Sequence, residues 1–467
     1  MKGLISKFKR VAWSSPTSSP THPPPPNHSL DPASSALSHC KNVASPTSRP
    51  PTLVQTESTR YNHNGLEDLV PEIRRQILSI LDLRSLKSLV HSSPVFHEQY
   101  LEDRRYLLCS SLETTLGTAT LDACASFQSS SPDFSYTREN VERLLGVFRV
   151  NRQPLRERVK EHEAIEMATF HLSVISPLIE YYIKWTLNNF VTKMDCMPRS
   201  ITLSRVEEVR LLRSFYRFEL CCNLFGKGGK NPCTKQRLEF RPVEILRLFF
   251  CLFEPWEVEE ISCINTFAQD KYDKIFREIY WDVNENNPKF HGQRPPTPEG
   301  AFDFDNSCTF SVICLQQQLL TGTVSRGLEL LHRVSYKIKG HSQLVQIMQK
   351  YITWPLGSFL TNEALGEAAQ WERRQEALSK RDERQNRRDP LPFNGDAESS
   401  PPLAWTMIWG GTYSNLYGYY VHDSIRRLGY VFYDSMTIQS LGVKDIIIRE
   451  WKNDWGDSEP RNDILGA

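Results

Sequence analysis

The feature that most constrains this chain is a series of short amphipathic segments between Leu66 and Glu113. Pro71 suits the first position of a helix, where the N–H it lacks would have no partner. From there Ile73, Ile77, Ile80 and Leu81 recur at the spacing of one helical face. Glu72 in the first turn suits the helix dipole, and Arg74 and Arg75 turn to water. Asp82-Leu83-Arg84-Ser85 interrupts the pattern. Ser85 is expected to cap a second helix with Leu86, Leu89 and Val90 on one side. Ser93 caps a third, which opens on Pro94 and aligns Phe96, Tyr100 and Leu101. Helices this short bury too little apolar surface to stand alone, so the unit must dock on its own chain or on a partner.

What precedes the unit has no means of folding. Residues 11–60 are dominated by Ser, Thr and Pro, including Pro23-Pro24-Pro25-Pro26, and cannot bury enough to offset their ordering entropy. The basic start, with Lys2, Lys7, Lys9 and Arg10, is followed by no apolar run long enough for a signal peptide. Lys+Arg total 56 against Asp+Glu 55, which leaves no global charge to favour nucleic acid. No stretch reaches the apolar length of a membrane span. The 11 cysteines form no Cys-x-x-Cys pair, which argues for free thiols in a reducing compartment, cytoplasm or nucleus, and against a metal site.

Beyond the unit the periodicity is helical throughout. Residues 121–132 read as a Ser-rich linker, followed by a helix capped by Thr137. A long helical region runs from Pro154 to about Lys193, with a kink or break expected at Pro177. Ser204 and Glu207 form a capping box, and Gly226 is a fitting stop. Pro242 opens an apolar helix through Phe253 that Pro255 closes. Residues 371–388, dense in Glu, Arg and Lys, read as an exposed helix or linker. The last part is rich in glycine and aromatics around Trp409, Tyr413 and Tyr417, then Arg426-Arg427-Leu428-Gly429-Tyr430. Its expected role is a structural cap; the alternative is an aromatic platform for substrate formed by Trp409, Tyr413 and Tyr417.

Leu69, Glu72, Ile73, Ile77, Leu78, Leu81, Leu83, Leu86, Leu89, Ser93, Phe96 and Tyr100 supply the spacing of an F-box. Pro71 stands one place later than the proline of that pattern, and Phe96 lies where many members carry tryptophan. The stretch resembles the F-box-like domain of filamentous-fungal proteins, and the aromatic-glycine segment resembles the C-terminal region of such proteins. The resemblance implies a substrate-recruiting subunit of a Skp–cullin–F-box ubiquitin ligase, non-catalytic itself. Its partners would be a Skp-type adaptor, a cullin reached through it, and a protein substrate. Carried over by position, the adaptor contacts would be Leu69, Pro71, Ile73, Ile77, Leu81, Leu86 and Leu89. A second reading is a helical scaffold whose F-box-like unit packs within its own fold.

The expected architecture is mainly α: a three-helix F-box-like unit, an irregular helical body and an aromatic, glycine-rich cap. The segments are a disordered leader at 1–64, the unit at 65–113, a body at 133–290 and a Pro-rich linker at 291–306. A helical continuation at 307–370, a charged helix or linker at 371–402 and the cap at 403–467 complete them. No phosphate loop, zincin pair, nucleophile elbow or dinucleotide fingerprint appears, so neither a catalytic residue nor a cofactor is indicated.

Overall fold

Helices begin where prolines and capping side chains stand, and they stop where glycine or a second proline intervenes. The computed structural model describes residues 65–148, 153–193, 202–226, 240–279, 282, 319–352 and 363–464. The leader, the 291–306 segment and the glycine-lysine loop at 227–232 lie outside the described residues. Among those described the fold is helical, and the one extended pairing is an isolated antiparallel bridge between Pro390 and Thr412.

The unit comprises α1 (Pro71–Ile80), α2 (Leu83–Ser92), α3 (Pro94–Glu102) and an adjoining α4 (Arg104–Leu116). Then come α5 (Thr120–Ser130), α6 (Arg138–Phe148), α7 (Glu161–Phe170) and α8 (Ser176–Val191). The centre is α9 (Arg205–Phe225), α10 (Pro242–Leu248) and α11 (Pro255–Ile279). After α12 (Leu328–His332) and α13 (His341–Tyr351) come α14 (Glu367–Glu376), α15 (Lys380–Asn386) and α16 (Leu403–Ile408). The chain ends in α17 (Asp423–Arg426), α18 (Ser435–Leu441) and α19 (Lys444–Trp455), with a last turn at Pro460–Asp463. One hydrophobic cluster runs from Leu78 in α1 to Ile464.

The central pair is α9 and α11, both buried nearly all round although both carry charges. Charges tolerate such burial only when paired and hydrogen-bonded. Arg213 grips Glu260 with two hydrogen bonds of 2.7 and 2.5 Å. Arg217 donates to Asp122 at 2.9 Å and to Glu257 at 3.0 Å. Glu259 takes the guanidinium of Arg426, and so ties the C-terminal part to the centre.

Two expectations fail and two hold in part. The expected linker at 121–132 is mostly α5, packed on α9. Its Ala123, Cys124, Ala125, Ser126 and Ser129 are small enough for close approach, and its Asp122 meets Arg217. Pro255 opens the long α11 rather than closing a helix, because a proline in the first turn loses no hydrogen bond. At Pro177 the helix does not break, but a π-helical turn, His171–Ile175, distorts the ladder just before it, in the place where a kink or break is expected. The charged 371–388 region is helical in α14 and α15 and exposed on one side, as expected of a solvated helix, but Arg373, Arg374, Asp382 and Gln385 are buried. Asp382 there accepts from Arg373 at 2.7 and 2.6 Å, from Ser379 and from Asn415, and Arg374 lies 3.1 Å away. Burial pushes its carboxyl up, but the hydrogen bonds from Arg373 and the charge of Arg374 outweigh that and hold it well below the usual range.

Candidate docking surface

Entry into α1 is fixed by local hydrogen bonds. Asp68 accepts from the Gly65 N–H at 3.1 Å, and Arg74 donates to the carbonyls of Glu67 and Leu69 at 2.8 and 2.9 Å. Pro71 then starts α1 as expected. Only Leu78 of α1 is buried. The face that carries Ile73, Ile77 and Ile80 looks outward, with Ile73 42% and Ile80 68% exposed and Ile77 half-buried. Leu66 (56% exposed) and Val70 (57%) extend it toward the chain entry, beside half-buried Leu69 and exposed Pro71.

The other helices of the unit face inward. Asp82, not Ser85, caps α2: its carboxylate accepts from the N–H groups of Arg84 and Ser85 and from the Ser85 hydroxyl. Asp82 stands just outside the helix, two and three residues before Arg84 and Ser85, so its oxygen reaches their free amides, whereas Ser85 is already inside the first turn. Leu83, Leu86 and Val90 of α2 and Phe96 and Tyr100 of α3 are buried. Ser93 and Pro94 cap and open α3 as the sequence indicates. Leu81 and Leu89 are half-buried against the core.

The position of this unit on the body is pinned through α4. Leu83 N–H donates to Thr115 at 2.9 Å, and Arg75 pairs with Asp103 at 3.1 Å while lying over the Tyr106 ring. Arg105 donates to the Val159 carbonyl at 3.1 Å, and Arg84 reaches Glu180 at 2.5 Å and Ser176 on α8. Of the expected adaptor contacts, Leu69, Pro71, Ile73 and Ile77 are therefore reachable from solvent, Leu81 and Leu89 partly so. Leu86, 2% exposed, is a correction: the α2 face that holds it is sealed by the chain's own core. Position in the pattern did not indicate Leu66, Val70 and Ile80; their exposure does.

The aromatic platform is a second correction. Trp409, Tyr413 and Tyr417 are 1, 0 and 4% exposed. Arg384 stacks over the Tyr413 ring at 3.9 Å, Arg461 lies over Trp409, and Trp451 packs edge-on to it at 5.0 Å. Those rings are interior material, and Tyr419, at 58%, is the aromatic of that stretch that meets solvent.

Elsewhere, a cleft of about 300 Å³ is lined by Tyr216, Glu219, Asn223 and Arg326. Burial pushes the Glu219 carboxyl up to about 7, although the Leu328 N–H donates to it at 2.7 Å. A wider recess of about 850 Å³ is lined by Asp122, Arg213, Arg217 and Glu257, groups already engaged with each other. Burial raises the Cys109 thiol to about 11, so it is protonated at neutral pH. Among the described residues, no group of three His, Cys, Asp or Glu is placed to hold a metal, and no helix is long and apolar enough to cross a membrane. No protein-family model matches the chain, and no curated protein or solved structure matches it.

Proposed function

We propose that this chain is a substrate-recruiting subunit of a Skp–cullin–F-box ubiquitin ligase that binds its Skp-type adaptor through the outward face of α1. The observation that carries the reading is the concentration of uncovered apolar side chains. Of the ten large hydrophobic residues exposed among those described, Leu66, Val70, Ile73, Ile80 and Leu101 belong to this one small unit. Uncovered apolar side chains gathered on one rigid element mark a docking site rather than ordinary surface. The subunit contributes proximity: it holds a protein target close to a ubiquitin-charged enzyme, and the gain is in orientation and effective concentration. Test: co-purify recombinant full-length chain with a Skp-type adaptor, and identify proteins retained after proteasome inhibition. Adaptor recovery at unit stoichiometry supports the reading; repeated absence of adaptor refutes it.

The second reading, a helical scaffold that recruits no ligase, is favoured by one observation. Leu83, Leu86 and Val90, on the α2 face expected to meet an adaptor, lie inside the chain's own core. Failure to recover adaptor together with stable capture of other proteins would select it.

A further inference from the structure

One face of α11 carries Lys271, Lys274, Ile275 and Glu278, spaced so that they lie together. Opposite it, the chain makes the π-helical turn Arg333–Lys337 and then enters α13 at Gly340. These three elements enclose a cavity of about 280 Å³, whose polar lining is Lys271, Lys274, Lys339, Ser335, Tyr336, His341 and one carboxylate, Glu278. We propose that this cavity binds a doubly charged oxyanion, the phosphate group of inorganic phosphate or of a small phosphate monoester. The inference does not depend on the ligase reading.

Charge is the first reason. Carboxylates of this face already have cationic partners: Asp270 takes Arg427 through two 3.0 Å bonds, Asp273 takes Arg277, and Glu278 and Asp282 share His341. Lys271, Lys274 and Lys339 make no ion pair among the described residues. Burial, then the neighbouring Lys274, lowers the pKa of Lys271, and the opposing pull of Asp270, which is itself bound to Arg427, does not cancel them. His341 is held toward its charged form by hydrogen bonds to Asp282 and Glu278, and so offsets part of their negative charge at the rim.

Unsatisfied donors are the second, independent reason. The Ser335 hydroxyl and the Tyr336 hydroxyl are closed to solvent and have no hydrogen-bond partner. Buried hydroxyls without partners are costly, and a χ1 rotation that turns the Ser335 hydroxyl onto a ligand oxygen in the cavity would satisfy it. Tyr336 is fixed by stacking on Tyr181 with the ring centroids 3.4 Å apart. The start of α13 supplies a further donor. Gly340 offers no side-chain cap, and of the first-turn amides without an intrahelical acceptor that of His341 belongs to the cavity lining. Ammonium groups, a hydroxyl and an amide arranged on different walls suit a tetrahedral anion that accepts from several directions. The cavity volume leaves room for a phosphate group with a few further atoms.

The test is calorimetric titration of the full chain in a chloride buffer with inorganic phosphate and, separately, glycerol 3-phosphate. One-site binding of at least one of them is expected. Lys271→Gln combined with Lys274→Gln should weaken it tenfold or more, and Ser335→Ala a few-fold. Lys452→Gln on α19 should leave it unchanged. If the double variant does not fold, Lys339→Gln, an exposed position, should still weaken binding at least threefold. Tighter binding of the ester identifies a monoester site and equal binding a site for the free ion; both support the proposal. No binding of either ligand, or equal affinity in the lysine variants, overturns it.

Discussion

Replacing Val70 and Ile73 together with serine separates docking from folding. In the free chain Val70 is 57% and Ile73 42% exposed, so about half of each side chain remains to be covered by a partner. Full burial of such a side chain is worth about 1.5–3 kcal/mol, so the uncovered halves together offer about 1.5–3 kcal/mol to an adaptor. Their loss should weaken adaptor binding roughly 10- to 150-fold. The free chain should lose only about 1–2 kcal/mol of stability, because only the inner halves of Val70 and Ile73 leave the fold and a serine at the N-cap position of Val70 offsets part of that loss. Leu86→Ala is the opposite probe. Leu86 is 2% exposed inside the core, so the change should cost about 2–5 kcal/mol of stability and leave the affinity of the folded fraction unaltered. Titration calorimetry against a Skp-type adaptor, with thermal unfolding of each variant, reads both quantities. The reasoning fails if the Val70/Ile73 variant binds like the parent, or if folded Leu86→Ala loses affinity as strongly.

Three further outcomes follow from the interior. Asp382→Asn leaves Arg373 and Arg374 buried without their carboxylate and should cost about 3–5 kcal/mol in denaturant unfolding. Because the folded pKa of Asp382 lies below its unfolded value of 3.8, its stabilisation is present above that value and is lost as pH falls through the acid range. Glu219 has the opposite sign: its pKa rises from 4.5 to about 7 on folding, so the folded state holds the proton more tightly. Its contribution should fall as pH rises between those values, by at most about 3 kcal/mol. Glu219→Gln should flatten that part of a stability-versus-pH curve measured by urea midpoints. Gly418→Ala should lower the melting temperature, since φ is +62° there and a Cβ would meet the Leu365 Cβ at 2.5 Å; strain alone costs about 1–3 kcal/mol.

Much of the fold was legible from adjacent residues. Pro71, the Ser93-Pro94 pair, the Ser204–Glu207 box and Gly226 each mark a helix end where the structure has one. Such signals act within one turn, so the chain carries them wherever it is placed. The misreadings at Ser85 and Pro255 are one-turn effects, whereas the misread burial of residues 121–132 concerns residues whose partners are remote. Asp122 and Arg217 are 95 positions apart, and Glu259 and Arg426 are 167 apart. Read singly, these charges suggest solvent; paired, they belong to the interior. Burial of Trp409, Tyr413 and Tyr417 agrees with the structural cap expected of that segment and not with the alternative of an aromatic platform; their cover comes from Arg384, Trp451 and Arg461.

Sequence alone determined that Ile73, Ile77 and Ile80 share a face, because the helical repeat places them there whatever surrounds them. Which way that face points was decided only in the tertiary structure. The Leu78 side of α1 and the inner faces of α2 and α3 close against α4, and that choice leaves the isoleucines outside. Helical spacing is a property of a few consecutive residues, whereas burial depends on which distant segments arrive to cover them.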